Sequence, residues 1–539
     1  MYADLHAHSF LSSFEQRVNN DIKMSINPND ENSVWHQFPE ENNIVDWIAK
    51  QVGFTTYSES DFTQSALCGV CLINVAIYPP ERGFFKLDDK TLLEKIINWL
   101  GLTNFAEKEL GHLISGFSIE NIEFMKSGKY DYFQDTLGQI SFITKAISFQ
   151  PDPAGCVGSL YSSIKNASYV LLQNRYQLNT ALPDQLIQIV LSVEGGNAFW
   201  SNITSAGNLW NGTNFDSFFN NAQVQAYQAL NVYDWRNAIT RDIVENNADA
   251  FTPFIPQDVC TAVMQNVQQL LSQTKLFSYT IAHHFYNGLC GHCASLQPLT
   301  QHQLVDQSFG LGSDITNLGY MVINELLKNN VIVDVKHMSW NARQSYYRFR
   351  ANNYPQIPII SSHSAVNGLK WMGGQEWSNS LGLNNPFYQE ELNLYDDDIY
   401  EIVRSGGLIG ILMDQRVNGV KNQDTNVYAL HTLWLQFQYI AERAAECTKR
   451  SSTQTAWDNI CLGTDYDGVI HPVDEFRMYD DFVANGSSQT FYDFLLQNAA
   501  ACMQNPPASF LPTDMLPPEQ IVAKICYRNM SDFVQKYYS

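Results

Sequence analysis

Positive charge is what this sequence has least of. Lys and Arg together number 32 against 55 Asp and Glu, charged residues make up only 16% of 539, and the formal net charge is -23. A field of that sign repels phosphate backbones and anionic lipid headgroups, which excludes nucleic acid and the membrane surface as expected partners. An unbroken apolar run of about 18 residues is also missing, so no transmembrane helix is expected. No basic-then-apolar leader stands before the first histidines, and the expectation is a soluble, cytoplasmic protein.

A disulfide framework is absent too. The 10 cysteines are scattered through a long chain and read as buried thiols. Two pairs have C-x-x-C spacing. Cys68-Gly-Val-Cys71 lies inside the apolar run Ala66 to Tyr78, where side chains alternate faces, and reads as core. Cys290-Gly-His-Cys293 follows a histidine-rich strand end, and structural zinc or redox chemistry is the minor reading there. Nor is the chain short of apolar residues: 45% are hydrophobic and 13% aromatic, the composition of a folded protein. Its length allows two to four domains or one large barrel with insertions.

What the sequence does have is a series of apolar runs, each ending in residues able to do chemistry. Tyr2 to Leu5 ends in His6 and His8, two imidazoles on one face of a strand and half of a shell for zinc. Ala66 to Tyr78 is stopped by Pro79-Pro80. Ile187 to Val193 ends in Glu194 and two glycines, and Leu276 to Ala282 ends in His283-His284. Val331 to Val335 leads to His337, Pro358 to Ser361 to His363, Gly407 to Met413 to Asp414 and Arg416, and Asn459 to Thr464 to Asp465 and Asp467.

Eight strands separated by helical patterns, such as Leu318 to Leu327, are the signature of a closed parallel (β/α)8 TIM barrel. The carboxyl ends of the strands converge on one mouth in such a barrel, and His6, His8, Glu194, His283, His337, His363 and Asp465 all fall there. His36, His112, His302 and His431 sit in polar or helical context and read as surface or packing residues, with His292 and His471 as bystanders. Residues 1-539 are expected to form one barrel domain, with 81-183 a helical insertion and 197-275 an aromatic-rich one.

Five stretches in this order resemble the zinc-dependent membrane (renal) dipeptidase family of the amidohydrolase superfamily: Asp4-Leu-His-Ala-His8, Val193-Glu-Gly-Gly196, Val333-Asp-Val-Lys-His-Met-Ser339, Ser361-Ser-His-Ser-Ala365 and Gly463-Thr-Asp-Tyr-Asp-Gly468. Asn529 also stands in a family-like position, and the likeness covers roughly 2-8, 66-80 and 187-535. The resemblance implies an amidohydrolase-type barrel carrying two zinc ions. His6, His8 and Asp465 would hold one, His337 and His363 the other, and Glu194 would bridge them. It also implies a bridging hydroxide as nucleophile, Asp465 moving its proton, and His283 steadying the oxyanion, with His284 the competitor for that last role.

The sequence departs from the family in two places. The family's first pair is His then Asp; His8 stands where the carboxylate would, leaving the site one unit more positive, at about +1 with two Zn²⁺ and a hydroxide. The first metal is therefore expected to be held less tightly, or to favour anionic ligands. The family's arginine after the last lone histidine is also missing, and Lys370 or Arg416 is the expected substitute for gripping a substrate carboxylate.

The expected activity is hydrolysis of a dipeptide-like amide in a small molecule. A lactone or other ester on the same centre is the alternative, and a binding protein on a degenerate barrel would require ligands to be missing. The insertions are expected to roof the mouth, against the reading of a carbohydrate-binding or assembly module. A homodimer remains open.

Overall fold

A computed structural model describes residues 1–17, 27–39, 57–84, 119–126, 130–145, 160–181, 185–201, 257–297, 305–373, 376–379, 385–419, 430–447, 454–483 and 489–539, with a few isolated positions between them. Most of the two expected insertions, including the helical run at 91–100, lies outside the described residues.

Eight strands are β1 (Tyr2–Ala7), β2 (Val70–Ile77), β3 (Leu186–Glu194), β4 (Ser278–Thr280), β5 (Ile332–Asp334), β6 (Ile360–Ser364), β7 (Leu408–Ile411) and β8 (Ile460–Leu462). Each pairs in parallel with the next, as in Ile73 opposite Ile189, Val193 opposite Tyr279 and Ile409 opposite Ile460. Asp4 opposite Leu462 closes the ring between β1 and β8. The fold is thus a (β/α)8 barrel, as the spacing of the apolar runs predicts. Nearly every strand residue is buried, because the inner face packs on itself and the outer face is covered by helices.

The helices follow their own chemistry. Thr316 caps helix Asn317–Lys328 by accepting from the Gly319 N–H, and Ser339 caps Trp340–Asn353 by accepting from that of Ala342. Gly406, at φ 72°, ends helix Asp396–Ser405 in the left-handed conformation that glycine tolerates best. At the chain's end, Asn529 donates to the carbonyls of Trp457 (2.6 Å) and Ile460 (2.7 Å), pinning helix Asn529–Tyr537 to the start of β8.

Two expectations need correction. Ala66 to Cys68 close a helix (Phe62–Cys68), and the strand begins only after Gly69 at φ 72°; apolarity alone did not mark that break. Cys68 and Cys71 are buried nonetheless, one from each element. The block before β3 is not purely helical either. Beside helices Ile119–Lys126 and Tyr132–Lys145, a ninth strand, Ser168–Leu171, pairs with the first half of β3. Among the described residues, no helix is long and apolar enough to cross a membrane.

Candidate metal centre

His6 is the penultimate residue of β1 and His8 stands just past its end, two residues on, so both imidazoles point into the mouth. Asp4 fixes this strand end: it accepts from the His6 N–H (3.1 Å), the Thr464 N–H (3.0 Å) and the Tyr479 hydroxyl (2.8 Å), tying β1 to the loop after β8. Asp465 in that loop donates its N–H to the His6 carbonyl at 2.9 Å. Its φ of 61° and the 64° of His337 are uncommon for residues with a Cβ, a strain of about 1–3 kcal/mol each that is typically held at functional positions.

Glu194, the last residue of β3, has one oxygen toward each half of the site. Its Oε2 lies 3.3 Å from His6 Nε2 and 3.1 Å from His8 Nε2, while Asp465 Oδ1 lies 3.7 and 3.4 Å from the same two nitrogens. Its Oε1 lies 3.5 Å from both His337 Nε2 and His363 Nε2, which are 3.1 Å apart. Four arms of ~2.0–2.1 Å around a tetrahedral zinc put ligand atoms about 3.3 Å from one another. Edges of 3.1–3.7 Å in both groups are close to that length, so each group fits a divalent cation, with Glu194 common to the two.

The donor set passes a second test. His6 Nε2 and Glu194 Oε1 are buried and close to opposite partners, yet neither makes a hydrogen bond among the described residues. Buried polar atoms are almost always paired, and unpaired nitrogen and oxygen atoms gathered at one place are a donor set that fits a divalent cation. Burial, then the charges around them, hold the His337 and His363 pKa values well below 6.5, so both rings are neutral, the form that binds metal. Burial alone would lower that of His8, but hydrogen bonds and charge from Asp465 and Glu194 bring it up to about 10. Burial alone would likewise raise that of Glu194, whereas the charges of His283 and His6 beside it hold it well below the usual carboxylate range.

His283 and His284 follow β4 side by side, but they are anchored differently. His283 Nδ1 is 2.7 Å from Glu81 Oε2 and its Nε2 is 3.7 Å from Glu194 Oε2, so the ring faces the centre with Glu81 behind it. Glu81 is itself fixed by the Phe285 N–H at 3.1 Å. His284 Nδ1 turns to the Ser295 hydroxyl at 2.7 Å, although its ring stays 5.2 Å from that of His337.

The two substitutes for the missing arginine are placed differently. Arg416 is gripped by Asp414 (Nε–Oδ1 3.0 Å, Nη2–Oδ2 2.6 Å) and by the Val469 carbonyl (3.2 Å), and, against burial, the Asp414 and Asp465 carboxylates raise its pKa. Lys370 is exposed on the hairpin Leu369–Asn379, where its charge faces Asp397; it is not brought into the cluster. His292 is a packing residue bonded to the Phe309 and Cys293 carbonyls, and the Cys290 and Cys293 thiols are buried, their pKa values raised by burial. His112 and His302 lie outside the described residues.

Sequence reasoning passed over four residues. Glu81 is the first charged residue after β2, and the rule that placed chemistry at strand ends should have found it. Asp4 and Asp334 are buried carboxylates inside strands, a visible oddity that was not used. Lys336, next to His337, is buried with an Nζ that has no hydrogen-bond partner among the described residues.

No model of a known protein family matches the sequence, nor does any curated protein. Solved structures do. A metallopeptidase from Rhodobacter sphaeroides, liganded with a phosphinate mimic of the dipeptide L-Ala-D-Ala, is 10% identical with a TM-score of 0.45, covering 93% of this chain and 99% of its own. A structure described as the dipeptidase AC, a metallopeptidase, is 10% identical at 0.44, covering 89% and 90%. The probable dipeptidase PvdM from Pseudomonas aeruginosa is 10% identical at 0.41, covering 89% of each chain. At that distance the side chains of this chain, not the likeness, decide its chemistry: a carboxylate-bridged pair of histidine groups at the mouth of a (β/α)8 barrel.

Proposed function

We propose that the protein is a metal-dependent hydrolase that cleaves an amide bond in a small, dipeptide-like molecule. The observation that carries this reading is Glu194, whose two carboxylate oxygens serve two separate imidazole groups at 3.1–3.5 Å. His6, His8 and Asp465 would hold one divalent cation and His337 and His363 the other, zinc being the metal that this nitrogen and oxygen set suits. Cations bound there supply Lewis acidity and make water a nucleophile near neutral pH.

The chain supplies the rest. Asp465 is beside the cluster and keeps 13% of its side chain exposed, so its carboxylate can take a proton from attacking water and return it to the departing amine. His283, backed by Glu81, faces the position where the carbonyl oxygen gathers charge; a preorganised donor of this kind is typically worth ~10²–10³ in rate. Arg416, oriented by Asp414, would offer its guanidinium to a substrate carboxylate, a role its position supports better than that of Lys370.

The test is metal analysis of the purified protein together with turnover of a dipeptide library assayed beside lactones. The reading requires bound divalent metal and cleavage of at least some dipeptides. Turnover of lactones alone would move the substrate to an ester on the same centre. A metal-free protein inert to both overturns the proposal.

A further inference from the structure

Between the two halves of the centre lies one hydroxyl. Ser362 Oγ, in β6, is 3.2 Å from His6 Nδ1 and 2.8 Å from His363 Nδ1, and it also bonds to Asp334 Oδ2. His6 lies in the group with His8, Glu194 and Asp465 and His363 in the group with Glu194 and His337, and the two also meet in a third group with Asp334, where both turn their rear nitrogen to the Ser362 oxygen.

Counting donors fixes where the protons go. Asp334 Oδ1 accepts the Lys336 N–H (3.0 Å) and the Ser362 N–H (3.1 Å), and Oδ2 accepts the Thr280 hydroxyl (2.8 Å). The remaining bond to Oδ2 is the one the Ser362 hydroxyl donates; burial raises the Asp334 pKa, and the hydrogen bonds from Ser362, Lys336 and Thr280 work against that rise by favouring the accepting carboxylate. A hydroxyl has one proton and two lone pairs, so a Ser362 that donates to Asp334 can only accept from the two histidines. Both rings are then protonated at Nδ1 and present an unprotonated Nε2, the atom each turns toward Glu194.

Building on the metal-centre reading above, we propose that Ser362, held by Asp334, is a positioning residue that sets the tautomer of His6 and His363 together, coupling the two metal positions through one side chain. The position is tightly built. A Cβ at Gly410 or Gly463 would come within 1.9 or 1.8 Å of the Ser362 carbonyl oxygen, so glycines on β7 and after β8 are what let β6 seat the serine between the two groups.

The experiment measures zinc affinity by competition with a chromophoric chelator on the full-length protein, as wild type and as Ser362→Ala, Ser362→Thr and Ser361→Ala. Ser362→Ala should weaken both binding steps by about 10–100-fold, the usual effect of losing a partner behind a ligand. Ser362→Thr, which keeps the hydroxyl, should restore most of the affinity, and Ser361→Ala should match wild type. Weakening of one step alone, or of neither, overturns the coupling while leaving the metal centre in place. Failure of the wild type to bind zinc overturns the metal-centre reading instead. Should Ser362→Ala not fold, histidine ¹⁵N spectra of the wild type decide: Nδ1 protonated in both rings is expected, and an Nε2 proton on either in the zinc-loaded protein overturns the proposal.

Discussion

His337 Nε2 and His363 Nε2 stand 3.1 Å apart, each 3.5 Å from Glu194 Oε1. Two buried, neutral imidazoles at that separation share either one proton or one cation. Removing one of them should therefore unmake half of the centre. For His337→Ala we expect about half the metal of the wild type and loss of most activity, read by elemental analysis and a hydrolysis assay. Full activity in this variant would falsify the assignment of the second group.

Glu194→Gln tests the bridge. An amide keeps the shape but offers one oxygen and no charge, so both groups lose their shared ligand. Metal content should fall at both positions, in contrast to the one-sided loss in His337→Ala. Retention of one tightly bound ion would mean that the carboxylate serves a single site.

The pH dependence of metal uptake follows from His8. In the metal-free protein its pKa is brought up to about 10, so below that pH a proton occupies the nitrogen a cation needs. Binding must displace this proton, and affinity at the His6–His8 position should rise as pH rises from about 7, flattening toward about 10, by up to tenfold per unit. Titration calorimetry in buffers of different ionisation enthalpy would count the released proton. Affinity that is level across this range contradicts the reading.

Glu81→Gln should separate catalysis from metal binding. Glu81 touches His283 Nδ1 at 2.7 Å and does not belong to either ligand group. Its loss leaves the ring without the carboxylate that orients it, and we expect kcat to fall by about 10–100-fold with zinc content unchanged. A variant with wild-type kcat would remove His283 from the chemistry.

Gly463→Ala addresses the frame. The added Cβ would lie 1.8 Å from the Ser362 carbonyl oxygen and 2.9 Å from Gly410 Cα, both of them backbone. Overpacking of this kind costs about 1–3 kcal/mol or more, and denaturant unfolding should show it. Unchanged stability would mean that β6 and β8 can part at no cost.

Most of the barrel was legible because the buried parallel strands are rich in apolar residues and the chemistry-bearing side chains gather toward their carboxyl ends, although Asp4, Asp334 and the serines of β6 are polar residues inside strands. That is why β3 could be read up to Glu194 and β6 up to His363. The same signal overran at Ala66–Cys68, where a helix and a strand are both apolar and only Gly69 separates them. It missed Ser168–Leu171, a strand half exposed on alternate residues inside a block with helical neighbours. At the site, the ligand candidates were legible as residue types at strand ends. Ser362 was not, since what distinguishes it is which nitrogens it faces across the barrel, a relation between β1 and β6 that no local spacing encodes.

The most direct test of the central claim is an anomalous difference map from crystals of the protein grown with zinc and recorded at the zinc edge. The account predicts about two peaks per chain, one within bonding reach of His6, His8 and Asp465 and the other of His337 and His363, with Glu194 between them. A map with no peak among these six side chains, or with zinc bound only elsewhere on the chain, would contradict it.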